Sequence, residues 1–132
     1  MAPANSADNN FPSPLSALDY HEFSLERAKI GQLLFYDKIL SGNRNISCGT
    51  CHHPRFGGSD GLSLGIGEGG RGVGPERNAG VGEDKIWKRI PRNASALWNL
   101  AAKKFTVLFH DGRVSVSDDY DNNFNSPAEE WL

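Results

Sequence analysis

The chain has 132 residues, with 14 Lys and Arg against 16 Asp and Glu, a formal net charge of −2. That length is one domain's worth, the charge balance excludes a basic nucleic-acid footprint, and no apolar run reaches the roughly 18 residues of a membrane-spanning helix. Fifteen glycines and seven prolines mark a loop-rich chain, whose core is thin for its size and needs a staple.

Residues 1–18 are small and polar and read as an irregular arm. They lack the basic start and apolar core of a signal peptide, so the sequence reads as either a cytoplasmic protein or a mature chain behind an added initiator Met1. Asp19 to Tyr36 is expected to be a helix, with Asp19 as its cap and Glu22 at the capping-box position. Leu25, Ala28, Ile30, Leu33 and Leu34 would form its core stripe. Ser41-Gly42-Asn43 reads as a turn, and a short helix starting at Ser47 carries both cysteines.

Residues 57–82 then hold 11 of the 15 glycines. No packed helix or strand survives that density, and a loop this long is usually functional. Gly65-Ile66-Gly67-Glu68-Gly69-Gly70 satisfies G-x-G-x-x-G, yet no strand precedes it, no helix follows it, and Glu68 would face the phosphates. Asn93 to Ala102 is expected to be a third helix, capped by Asn93, with Ala94, Leu97, Trp98 and Ala101 on one face. Phe105 to Phe109 should be extended or buried, and His110-Asp111-Gly112-Arg113 should turn the chain. The stretch from Ser117 to Asn125 is polar. The chain stops on Trp131-Leu132, large apolar residues that read as the cut end of a longer protein. The sequons Asn45-Ile46-Ser47 and Asn93-Ala94-Ser95 are read as chance matches, and no internal repeat is found.

The chemistry is carried by Cys48-Gly49-Thr50-Cys51-His52. C-x-x-C-H is the c-type haem attachment pattern. Two cysteines three apart on a helical turn can each bond one haem vinyl as a thioether, and the next residue, His52, then lies under the iron. A covalent haem would also bring a large apolar body into a thin core. A redox dithiol is expected in a βαβ context that is missing here. Zinc held by Cys48, Cys51 and His52 or His53 lacks a second ligand pair, and a disulfide across so short a loop stabilises little. Haem attachment by this route takes place outside the bacterial cytoplasm, which places the chain in the periplasm. Met1 is the only methionine, so a His/Met iron is not expected. His53 adjoins His52 and cannot reach the opposite face. The iron is therefore either bis-His, through His21 or His110, or open and reactive.

Five ordered blocks now resemble a known family. Ile30-Gly-Gln-Leu-Leu-Phe-Tyr-Asp37 with Leu40-Ser-Gly42, Ile46 to His52, Phe56 to Gly61, Arg92 to Asn99, and Phe109 to Arg113 resemble the opening of bacterial di-haem cytochrome c peroxidases and the related MauG enzymes. The resemblance covers about residues 25–113. It implies a mainly α, cytochrome c-like haem domain with long Gly-rich loops, spanning residues 19–132 and corresponding to the peroxide-reacting N-terminal domain. It implies one covalent haem c, a calcium site to which Asn93 contributes, and an acid–base carboxylate near Glu130, with Glu129 as its rival. Arg113 of the Asp-Gly-Arg block joins the catalytic candidates, and Arg44, Trp98 and His110 join the candidate haem contacts. The implied partners are H2O2 and an electron donor: a cytochrome, a cupredoxin, or a second haem domain or subunit.

The departures are informative. His110 stands where the family has a Trp before Asp-Gly-Arg. The loop Leu64 to Gly74 is His-free where resting peroxidases carry a distal His, which favours the open iron of the MauG-like branch. One C-x-x-C-H and no further cysteine are present, so the second haem domain is missing from this chain. Tyr36, Trp87 and Trp98 are candidate radical sites, each competing with plain core packing. The rival functional reading is a mono-haem electron carrier with bis-His iron, and a weaker one is a structural haem domain in an assembly.

Overall fold

The first α-helix, α1, opens at Leu25 and closes at Tyr36 in the computed structural model, which describes residues 12–83, 85–119 and 124–126. Its cap is Ser24, whose hydroxyl accepts the Arg27 N–H at 3.3 Å; this satisfies one orphan donor of the first turn. Asp19, the expected cap, closes a separate 3₁₀ turn, Ala17–Asp19. It accepts the backbone N–H and hydroxyl of Ser16 at 2.7 and 2.9 Å, and these bonds hold its carboxyl below the usual range.

The expected core stripe of α1 does not form. At about 100° per residue, Ile30 and Leu34 lie across the helix from Leu25 and Ala28, so the apolar residues surround it. All are exposed, Leu33 at 73% and Ile30 at 58%. Asp37 ends the helix and accepts the Ile39 N–H at 2.8 Å, and the expected turn follows, with Arg44 N–H donating to the Ser41 carbonyl at 3.1 Å. The second helix, α2, is one turn, Cys48–Cys51, set where the spacing of the cysteines places it.

The described chain divides into two compact units, one of them Glu22–Leu100. Its centre is a charge as much as a core. Ile66 is fully buried, and so is most of Arg77, which is 4% exposed. The Arg77 guanidinium donates to the carbonyls of Ile66 (Nε, 2.7 Å), Gly72 (Nη1, 2.7 Å) and Gly67 (Nη2, 2.6 Å). Paired Arg71–Asn78 backbone bonds of 3.0 and 2.9 Å close the same loop. Gly74 sits at φ +64°, and a Cβ there would collide with the Phe56 ring, so no other residue serves at that position.

Asn93 to Ala102 is not helical; it runs as loop and turn. The carbonyls that a helix would need are taken from outside. Ser59 Oγ donates to the Ala94 carbonyl at 2.6 Å, and the Ser95 carbonyl bonds the His52 ring. Asn99 then enters the left-handed region at φ 60°, which ends any helical path.

The other unit takes in the described residues up to His21 and from Ala101 onward. Tyr20 and Ala102 form a β-bridge, and Lys103 N–H donates to the Asp19 carbonyl at 2.8 Å. Strands β1 (Val107–Leu108), β2 (Val114–Val116) and β3 (Phe124–Asn125) make an antiparallel sheet in sequence order, with Val107 opposite Ser115 and Ser115 opposite Asn125. His110 to Arg113 is the expected turn. Phe105 to Phe109 leads into β1, extended as expected, with its aromatic ends exposed.

Among the described residues, α-helix is confined to α1 and α2. The mainly α expectation is therefore met only in part: a few helices, a small sheet and long Gly-rich loops make up the fold. No helix of the described residues is long and apolar enough to cross a membrane.

Replacing Arg77 by Met removes three donors at once and takes that partner from the buried Ile66 carbonyl and from the part-buried carbonyls of Gly67 and Gly72. At about 1–3 kcal/mol for each such group, with incomplete additivity, the variant should lose about 3 kcal/mol. This is read as a lower urea midpoint at unchanged m-value; a wild-type midpoint would remove Arg77 from the role of loop anchor.

Candidate functional site

The single turn of α2 is locked at its start. Ser47 N–H donates to Thr50 Oγ1 at 2.9 Å, and Thr50 N–H donates back to the Ser47 carbonyl at 3.0 Å. Gly49 lies under the Tyr36 ring, where a Cβ would stand 2.7 Å from Tyr36 Cδ1; the small residue between the cysteines is what lets α1 approach α2. Cys48 is exposed, Cys51 is half-buried, and both thiols are free. His52 follows immediately, its N–H on the Cys48 carbonyl at 2.9 Å.

The His52 ring is oriented from a distance. Its Nδ1 is 2.9 Å from the Ser95 carbonyl and 3.3 Å from the Gly58 carbonyl. A carbonyl oxygen can only accept, so Nδ1 carries the proton and Nε2 keeps the lone pair. That is the arrangement of a metal-binding imidazole whose far nitrogen is held by the protein. The segment that supplies Ser95 is tied to the loop beside α2. Besides the Ser59–Ala94 bond, Asn93 Nδ2 donates to the Leu62 carbonyl and Trp98 Nε1 to the Gly57 carbonyl. The residues expected to form a helix are instead used to hold the histidine.

Cys48, Cys51 and His52 line a recess of about 430 Å³, together with Leu40, Ile46 and Glu68. This setting fits a covalently held haem: two free thiols on one turn, an imidazole with its Nε2 available, and aliphatic walls beside them. Burial pushes the Cys51 thiol above its ordinary value, against the opposing pull of the Arg77 guanidinium and with reinforcement from Asp60 and Cys48. Burial likewise lowers Arg77, while Cys51 and Asp60 favour its charge.

The remaining candidates are distributed as follows. Within the same unit, His53 is spent locally: its Nδ1 accepts the Arg55 N–H at 3.2 Å, and its ring tilts on Phe56. Arg44 is an exposed turn residue at φ 54°. Trp98 anchors Gly57 as described. Tyr36 packs edge-on to Phe35, with ring centroids 5.0 Å apart. Trp87 is 83% exposed under the Lys85 ammonium, so it is not the core residue weighed against a radical role. Among the described residues no group of three or more His, Cys, Asp or Glu is placed to hold a metal ion; Asn93, the calcium candidate, donates its amide nitrogen to the Leu62 carbonyl, so Oδ1 is its ligand atom.

His21, His110 and Arg113 belong to the other unit. His21 N–H donates to the Ala101 carbonyl at 2.9 Å, and His110 is exposed in the β1–β2 turn. Arg113 is paired with Asp111, Nε to Oδ2 at 2.9 Å, and its guanidinium lowers the Asp111 carboxyl to about 2. The stabilising charge of Asp111 is thus present above its ordinary pKa and lost only as pH falls through about 2. Glu129 and Glu130 lie outside the described residues.

Sequence reasoning did not find Arg77, Ser95 or Glu68. Glu68 had a signal, being the only side chain in the run Gly67-Glu68-Gly69-Gly70.

A family model described as di-haem cytochrome c peroxidase matches residues 25–130. The chain is 28% identical over 103 residues to a cytochrome c551 peroxidase of Pseudomonas aeruginosa, covering 78% of this chain and 24% of that protein. It is 43% identical over 93 residues to the cytochrome-c peroxidase IdrP2 of Denitromonas iodatirespirans, covering 70% and 20%. It is 46% identical over 44 residues to the methylamine utilization protein MauG of Methylorubrum extorquens, covering 33% and 12%. The chain thus spans a quarter or less of the length of these relatives. No solved structure matches it.

The two thiols should differ in reactivity. In the haem-free chain near pH 8, iodoacetamide should label exposed Cys48 several-fold faster than Cys51, because less Cys51 is thiolate and access to it is poorer. Arg77→Met should widen the gap, since the cation that favours the Cys51 thiolate is gone. Peptide mapping by mass gives both rates; equal labelling would show that burial does not govern Cys51.

Proposed function

The chain belongs to the di-haem cytochrome c peroxidase family, and on that footing we propose that it is a periplasmic haem c domain that reduces hydrogen peroxide. In this reading residues 1–18 are an arm and residues 19–132 the haem domain, with a cytochrome c-like fold. The observation that carries it is the His52 ring, fixed by the Ser95 carbonyl with Nε2 free beside two free thiols.

Haem iron, when bound, supplies the redox centre at which the peroxide O–O bond breaks. The chain's residues do the rest. Cys48 and Cys51 would hold the macrocycle as thioethers. His52 would be the ligand through Nε2, and the hydrogen bond at Nδ1 raises the basicity of the ring and fixes its plane. Leu40 and Ile46 give the recess an apolar wall. Reduction of one H2O2 to two waters consumes two protons and two electrons. The electrons come from a small cytochrome or cupredoxin, or from a second haem domain or subunit. A carboxylate must carry a proton between the peroxide oxygens, for which Glu130 and Glu129 are the candidates by resemblance, with Arg113 as a charge partner. Calcium, with Asn93 among its ligands, would be an accessory of the site.

The test is to produce the chain in a bacterial periplasm with c-type haem maturation. One haem per chain is expected, resistant to denaturing gel electrophoresis and lost from the Cys48→Ala/Cys51→Ala variant. The ferric spectrum should be high-spin and should shift with one equivalent of H2O2. A low-spin spectrum indifferent to peroxide would overturn the reading in favour of a bis-His electron carrier through His21 or His110. Without its donor the chain should turn over far below the roughly 10 s⁻¹ of a typical enzyme; steady turnover at that rate would remove the need for a partner.

A further inference from the structure

We infer that residues 85–92, with the exposed Trp87 among them, form a docking surface for an electron-donor protein that presents an acidic face. The inference rests on the peroxidase reading above for the partner's redox role, and it adds the surface and the charge of what binds there. Three observations support it.

The first is charge. Lys85-Ile86-Trp87-Lys88-Arg89-Ile90-Pro91-Arg92 carries four cations and no carboxylate, in a chain whose net charge is −2. All four are exposed, and the one ion pair among the described residues, Arg113 with Asp111, belongs to the other unit. Arg71 adds a fifth cation. Its Nε lies 3.9 Å from where a Cβ on Gly80 would stand, and Gly80 follows Ala79, whose carbonyl accepts the Ile86 N–H at 2.9 Å. Glu83 and Asp84 precede the run in sequence, Asp84 lying outside the described residues, and five cations outweigh them. A local positive field on an otherwise balanced chain steers a partner of the opposite sign and sets its orientation.

The second is an anchor on a fixed backbone. Trp87 is 83% exposed, with Lys85 Nζ 4.8 Å from its ring centroid. The residues around it are tied down: Ile86 to Ala79 as above, Arg89 Nη1 to the Leu64 carbonyl at 3.1 Å, and Ile90 N–H to the Gly65 carbonyl at 2.9 Å. Trp and Arg are the residue types that dominate binding hot spots, and a segment already held in place loses little freedom on association.

The third is place. A Cβ on Gly67 would stand 3.2 Å from Ile90 Cδ1, and Gly67 directly precedes Glu68, which lines the recess with Cys48, Cys51 and His52. In the other direction the segment runs through Asn93 to Ser95, whose carbonyl holds the His52 ring. A partner seated on residues 85–92 would therefore rest against the loop that walls the recess and the stretch of chain that orients the histidine. This favours a redox protein over a nucleic acid or a lipid surface. Each encounter passes one electron: the donor's metal centre is oxidised by one unit, the haem iron is reduced by one, and no proton moves between the proteins.

The experiment uses the haem-loaded chain as wild type, Lys85→Glu/Lys88→Glu and Trp87→Ala. The probes are a cupredoxin with an acidic face and a cytochrome c with a lysine-rich face. Calorimetric titration with the oxidised probes reads binding, and stopped-flow absorbance with the reduced probes reads electron transfer. Wild type should bind the acidic cupredoxin about tenfold or more tighter than the lysine-faced cytochrome, and its reduction should slow about tenfold as salt shortens the screening length to about 8 Å. Lys85→Glu/Lys88→Glu should bind the cupredoxin about tenfold more weakly and lose most of the salt dependence. Trp87→Ala should bind about tenfold more weakly with the salt dependence retained. Equal affinity for the two probes, or wild-type binding by the charge-reversed variant, would overturn the docking surface while leaving the peroxidase reading intact. A Trp87→Ala variant that binds normally but accepts electrons slowly would overturn the anchor role in favour of an electron relay. Co-sedimentation with phosphatidylglycerol vesicles, lost in the charge-reversed variant and without cupredoxin binding, would overturn the protein partner in favour of a membrane. A chain that takes electrons at this surface yet is inert to peroxide would overturn the peroxidase reading and leave the surface standing.

Discussion

A buried guanidinium organises the unit that carries the haem motif. Removing a charge from water is expensive unless every donor finds an acceptor, and Arg77 meets that condition with three carbonyls of its own loop. Glycine makes this arrangement workable. A run of glycines cannot build an apolar core, but its carbonyls are unshielded and can converge on one cation. The same glycines that forbid regular structure between residues 57 and 82 therefore permit a polar substitute for a core. Arg77 also lies close enough to Cys51 to favour its thiolate, so one side chain couples loop order to the ionisation of that cysteine.

Orientation of His52 follows the same logic of non-local hydrogen bonding. A histidine at the end of a one-turn helix has little local restraint. Its ring is fixed by Ser95, 43 residues away, and the chain on either side of Ser95 is held in turn, Ala94 by Ser59 and Trp98 by the Gly57 carbonyl. An imidazole fixed through Nδ1 presents Nε2 in one direction, which is what a ligand atom needs before the metal arrives.

What the sequence made legible was local. The attachment motif, the start of α2 at Ser47, the Ser41 to Asn43 turn and the His110 to Arg113 turn all depend on neighbours within a few residues, and composition alone exposes the glycine loop. What it concealed was competition from afar. Asn93 to Ala102 has helical periodicity and a good cap, yet Ser59 and His52 claim its carbonyls and Leu62 claims the Asn93 amide. The Asp19 cap failed for a nearer reason: Ser16 binds its carboxylate, and Ser24 stands where α1 begins. Glu68 was read only as an obstacle to phosphate binding, because the recess it lines is built from segments far apart in the chain.

Within Glu22–Leu100, Ile66 is the one fully buried apolar side chain among the described residues, while the apolar residues of α1 surround the helix and remain exposed. A helix apolar on all sides is suited to contact on more than one side. Its C-terminal end, through Tyr36 on Gly49, already meets the turn that carries the two thiols. A covalently attached haem would supply the apolar bulk that this unit's own side chains do not, and attachment through two bonds would keep that bulk in place regardless of binding equilibrium. The thin core and the two thiols are then one design. The polar network around Arg77 and Ser95 shapes the site, and an attached haem would contribute the burial that the sequence, with its glycines committed to that network, has little means to provide otherwise.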